Sequence, residues 1–218
     1  MAHTWLLLLV ALLLAGNAVS GLETTISPRL IDEALTLGLS RIDSVHTRFH
    51  QPYRLKVARP PIDYLDVVTP FRRVVLNTED RTNLGIRGVT NREAADALGT
   101  GSGVVEIRVE MTFHPQNVFI GVPAYDVELT VASPPARLVP RDVTRIPRFG
   151  ARLETPPLPA PPGAPPNQSG GGGMPLTGGT IVAAFPIGTL NAAGAYDVVV
   201  SEMGKELARA RVNFAGLR

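Results

Sequence analysis

The sequence predicts an α+β protein in which a helical N-terminal part packs on an antiparallel β-sandwich, with a disordered Pro/Gly-rich insert. Three observations predict it. Val105, Ile107, Val109, Met111 and Phe113 alternate without exception with Glu106, Arg108, Glu110 and Thr112, and a period of two is a strand with one apolar face. Before that strand, Ser27-Pro28 and Thr69-Pro70 each open an apolar-periodic run, the cap-and-proline start of a helix. After it, short apolar runs are cut at Pro115, Pro123, Pro134-Pro135, Pro140 and Pro147, which excludes helices and suits a sandwich.

Residues 1–20 are expected to be a signal peptide: the apolar run Trp5 to Leu14 is followed by Ala18 and Ser20 at the −3 and −1 positions of a cleavage site. That run is about half the length of a membrane span, so cleavage is expected, with an uncleaved anchor as the alternative, and the mature chain is expected to be exported, periplasmic or extracellular, with no transmembrane segment. It contains 0 cysteines, which removes disulfides and thiol chemistry and leaves stability to an apolar core. A formal net charge of +2 gives no reason to expect nucleic acid.

Residues 21–99 are expected to be mainly helical. Ile31, Leu35, Gly38, Ile42, Val45 and Phe49 form one helical stripe. Gly38 on it permits either a close helix crossing or a break. Tyr53, Leu55 and Val57 predict a short strand ending at Pro60-Pro61. A second helix follows Thr69-Pro70, with continuation of a strand from Asp63 as the alternative, and a third runs from Asn91 to Leu98 between Thr90 and Gly99.

The sandwich is expected over 100–153 and 180–218, with strands at Asn117 to Gly121 and Tyr125 to Val131 and pieces between Arg137 and Leu153. Residues 154–179 are Pro- and Gly-dominated and predict a disordered linker or loop, since they offer too little apolar surface to offset ordering. The closing hairpin, Gly194 to Val200 and Glu206 to Phe214 about Gly204, has Tyr196 near its start. In that respect it resembles immunoglobulin-like domains, which implies an antiparallel immunoglobulin-like β-sandwich.

No catalytic constellation is present in the sequence. Glu106 and Glu110 lie four residues apart on one strand face, hence about 13 Å apart, too far for a glycosidase pair. The glycines at 99–103 precede a strand instead of opening a helix and match no phosphate-binding fingerprint. His46 and His50 share a helix face at the i, i+4 spacing of zinc ligands, but the intervening Thr47-Arg48-Phe49 lacks the glutamate of HExxH. They are weak metal candidates.

Two basic clusters remain: Arg41, Arg48, Arg54, Lys56 and Arg59, then Arg137, Arg141, Arg145, Arg148 and Arg152. Converging, they would bind an anionic glycan or lipid surface; dispersed, they would pair with Asp63, Asp66, Glu79 and Asp80. The expected function is therefore an exported, non-enzymatic binding or structural module of the cell envelope or exterior, without cofactor. Its partner would be an unknown protein or an envelope polysaccharide. The alternatives are an anion binder through the arginines and a metal-dependent envelope enzyme or accessory using His46 and His50.

Overall fold

The computed structural model describes residues 21–86, 88–132, 134–150 and 174–218. The expected signal peptide at 1–20, Arg152 and most of the expected linker lie outside the described residues. The chain is α+β, and the described residues hold four α-helices and two antiparallel sheets, of five and four strands. No helix among them is long and apolar enough to cross a membrane.

The first apolar stripe forms two helices, α1 (Pro28–Gly38) and α2 (Asp43–His50). Ser27 caps α1 by accepting from the Leu30 N–H, with Pro28 in the first turn. Both readings of Gly38 hold at once. The helix stops there, and a Cβ on Gly38 would stand 2.6 Å from the Thr78 Cβ, so the backbones cross in close contact. Strands β1 (Arg54–Arg59) and β2 (Ile62–Val68) follow, then α3 (Pro70–Asn83), capped by Thr69, and α4 (Asn91–Leu98). In α4, Thr90 and Glu93 form a reciprocal capping box.

The alternating run forms β3 (Val104–Thr112). After it come β4 (Asp126–Ala132), β5 (Pro135–Leu138), β6 (Asp142–Phe149), β7 (Leu176–Pro186), β8 (Ala195–Glu202) and β9 (Lys205–Asn213). One sheet runs β1-β2-β3-β7-β6 and the other β5-β4-β8-β9. The stretch 21–99 thus supplies two strands to the sheet of β3 as well as its helices.

Two expectations are corrected. The run Asn117 to Gly121 is a loop, with Val118 and Ile120 exposed, because Asn117 turns its side chain back to the His114 and Leu176 carbonyls. The insert ends before residue 179: β7 starts at Leu176, and Gly178 and Gly179 lie within the strand. Glycine suits this crowded crossing, since a Cβ at Gly178 would be 2.3 Å from the Met111 carbonyl oxygen.

The two sheets stack in a sandwich-like arrangement around one apolar core. Leu65, Ile107, Val109 and Ile181 from the first sheet meet Val127, Leu129, Val198 and Val212 from the second. A smaller core of Ile31, Leu35, Phe71, Val74, Val75 and Leu98 binds α1, α3 and α4 into a layer. Phe49 packs against both cores.

Candidate functional site

Directly opposed residues of an antiparallel pair share a face, and on the five-stranded sheet this builds two polar rows away from the core. One runs Arg54, Asp66, Arg108, Val182, Thr144; the next runs Lys56, Tyr64, Glu110, Thr180, Ile146. The face is not plain solvent surface. Arg73 of α3 reaches Glu106 at 2.9 Å, and α2 and α3 rise beside β1 and β2 to enclose a cleft of about 790 Å³.

The floor of the cleft includes Arg54, Lys56, Tyr64, Asp66, Arg108 and Glu110, and its helical wall includes His46, His50, Gln51, Arg72 and Glu79. Arg72, Leu76 and Glu79 are spaced by four and three residues on α3, one helical face. Arg72 is fully buried, with Asp66 at 2.8 Å and the Val67 carbonyl at 2.6 Å from its Nη1. Its guanidinium also lies over the Tyr53 ring at 4.8 Å. Packing, carboxylate and carbonyl together satisfy a charge that would otherwise be costly to bury.

At the upper wall three side chains from two helices converge: His46, His50 and Glu79, with one candidate ligand atom of each within 4.8 Å of the others. His46 Nδ1 meets a Glu79 oxygen, and its Nε2 is 2.7 Å from the Ser40 carbonyl. His50 Nε2 donates to Glu79 at 2.8 Å, and its Nδ1 accepts from Arg72 Nε at 3.2 Å. The Ser40 carbonyl, reinforced by Glu79, raises the His46 pKa against the opposing effect of burial. Burial opposes ionisation of Glu79, but the hydrogen bonds from His50 and His46 outweigh it and hold its carboxyl below the usual range. A smaller concavity lined by Ser40, Arg41, Asp43 and Thr82 reaches His46 and Glu79 from the other side.

No family model, curated protein or solved structure matches this chain. The site's chemistry rests on its own geometry.

The structure brings together part of the first basic cluster and separates the rest. Arg54 and Lys56 line the cleft with Arg72 and Arg108, two cations that sequence reading passed over. Arg41 borders the smaller concavity. Arg48 is exposed on α2 and lies outside the cleft lining. Arg59 lies where β1 meets β9. The second cluster is elsewhere. Arg145 and Arg148 lie on β6, at the edge opposite β1, four strand spacings or about 19 Å away, and Arg148 reaches back to Glu110 of the cleft floor at 3.8 Å. Arg141 precedes that strand, and Arg137 pairs with Glu128 across β4 and β5.

The acidic partners assigned from sequence also differ: Asp66 serves Arg72, and Glu79 serves the histidines. The signal for Glu79 was its helical spacing from Arg72. It took the fold to show that this face looks at His46 and His50.

Proposed function

We propose that the protein is an exported, non-enzymatic binding module of the cell envelope or exterior that takes an anionic glycan in the cleft between α2, α3 and the sheet. The observation that carries this reading is the pair of cations on β1. Arg72 and Arg108 are engaged, with Asp66 and with Glu106 at 2.9 Å. Arg54 and Lys56 are exposed and form no ion pair among the described residues, and Arg54 lies over the Tyr64 ring at 4.3 Å. A guanidinium over an aromatic ring is attracted to it without using its N–H donors, which stay available to a carboxylate or sulfate. Burial raises the Tyr64 pKa, so the ring stays neutral.

The sandwich fits this reading as a rigid support. Tyr196, at the start of β8, accepts a hydrogen bond on its hydroxyl from the Asn191 N–H at 2.7 Å. That local bond favours an immunoglobulin-like module, in which a tyrosine near a strand start bonds to backbone a few residues upstream. The N-terminal apolar run of residues 1–20 supports export.

The test is binding of polygalacturonate and heparin, with dextran as the neutral control, across a range of salt. The expected result is saturable binding to the polyanions that weakens steeply as salt rises, and that falls about tenfold or more in R54A/K56A but not in R41A/R48A. Binding that ignores salt, or an R54A/K56A chain that binds as the parent does, would overturn it.

A further inference from the structure

We propose that His46, His50 and Glu79 form a binding site for a divalent first-row transition metal ion, of the zinc type, in the wall of the cleft. This inference is independent of the anion reading.

The first argument is a matter of donors and acceptors. His46 Nε2, 2.7 Å from the Ser40 carbonyl, must carry a hydrogen, because a carbonyl oxygen only accepts. In the neutral imidazole that leaves a lone pair on Nδ1. Yet Nδ1 points at a Glu79 carboxylate oxygen, also an acceptor, at hydrogen-bonding range. Two acceptors aimed at one another require a positive centre between them, a proton or a metal ion. An imidazole that ligates through one nitrogen while donating from the other to a backbone carbonyl has the outer support usual for metal-bound histidine.

The second argument is the donor set. His50 Nε2 reaches the same carboxylate, at 2.8 and 3.1 Å from its two oxygens. Two imidazole nitrogens and one carboxylate within 4.8 Å of one another suit zinc, with a fourth position left for water or ligand. All three residues line the cleft. All three side chains are half-buried, between 16% and 25% exposed, so the site is shaped by the protein and reachable from solvent. The ligands come from α2 and α3, so an ion here would tie the two helices together.

One contact must be exchanged. Arg72 Nε donates to His50 Nδ1 at 3.2 Å, so ligation through Nε2 requires His50 to move its hydrogen to Nδ1 and Arg72 to give up that bond. Arg72 keeps Asp66 and the Val67 carbonyl. The exchange places the affinity below that of closed structural zinc sites.

The experiment is calorimetric titration of the purified, chelator-stripped chain with zinc chloride, alongside cobalt(II) absorption. One zinc ion per chain is expected to bind, with about tenfold or greater weakening in E79Q and in H50A and none in H114A. Cobalt(II) is expected to give the visible bands of a four-coordinate ion, lost in H46A. E79Q keeps the side-chain shape, and circular dichroism checks that each variant is folded. Absence of saturable zinc uptake by the parent chain up to about 1 mM, or uptake unchanged in a folded E79Q, would overturn the proposal.

Discussion

Arg72 donates its Nε hydrogen to His50 Nδ1 across 3.2 Å, while its Nη1 grips Asp66 at 2.8 Å. One buried guanidinium therefore orients His50 of α2 and neutralises Asp66 of β2, linking helical wall and sheet floor at the base of the cleft.

Replacing Arg72 by Met should leave Asp66, 8% exposed, without its counter-charge. Breaking one partner of a buried pair costs about 3 to 5 kcal/mol, read as a lowered urea midpoint. The double variant R72M/D66N should recover much of that loss, because it leaves no buried charge uncompensated. If R72M costs no more than the double variant, the pair is not what holds the cleft base.

Gly38→Ala should destabilise the helical layer. The added Cβ would lie 2.6 Å from the Thr78 Cβ and 2.8 Å from the Val75 carbonyl oxygen. The cost should be about 1 to 3 kcal/mol, opposite in sign to the usual gain from replacing a helical glycine by alanine. Chemical denaturation followed by circular dichroism decides the sign.

Ile107→Ala removes a fully buried side chain from the centre of β3. It should cost about 2 to 5 kcal/mol. Arg108→Ala, one residue along on the opposite face, should cost much less, since its ion pair with Glu106 is partly exposed. Equal losses in the two variants would mean that the inner face of β3 is not core.

The capping box of α4 should persist in acid. The Thr90 N–H, then the Thr90 hydroxyl and Arg81, lower the Glu93 pKa from 4.5 to about 2. With the folded value below the unfolded one, the cap's contribution is complete above pH 4.5 and disappears as pH falls through about 2. A pH titration of the Thr90 and Glu93 amide resonances should show its midpoint near the lower value. A midpoint near 4.5 would mean that the carboxylate is free of the helix start.

Much of the fold was legible in local chemistry. Ser27 and Thr69 with their prolines, and Thr90 alone, announce helix starts because the unpaired N–H groups of a first turn need acceptors nearby in sequence. The alternation of β3 and of the last hairpin announces strands because successive side chains point to opposite faces. The break after Gly38 was open in the sequence, and the crossing with Thr78 became visible only with α3 in place.

The candidate site was only half legible. His46 and His50 show their shared face through spacing alone, and Arg54 and Lys56 show their positive charge. Glu79, 29 residues beyond His50, and Arg108, opposite Asp66, join them only through helix packing and strand register. Local pattern is set by backbone geometry over one or two turns, so it determined caps and strand faces. Which charges meet depends on contacts between residues far apart in the chain, and those were decided by how α2, α3 and the sheet bury their apolar faces together. The same packing set Arg54 and Lys56 on one edge strand of the five-stranded sheet and Arg145 and Arg148 on the other, and gathered two histidines and a glutamate at the wall of the cleft.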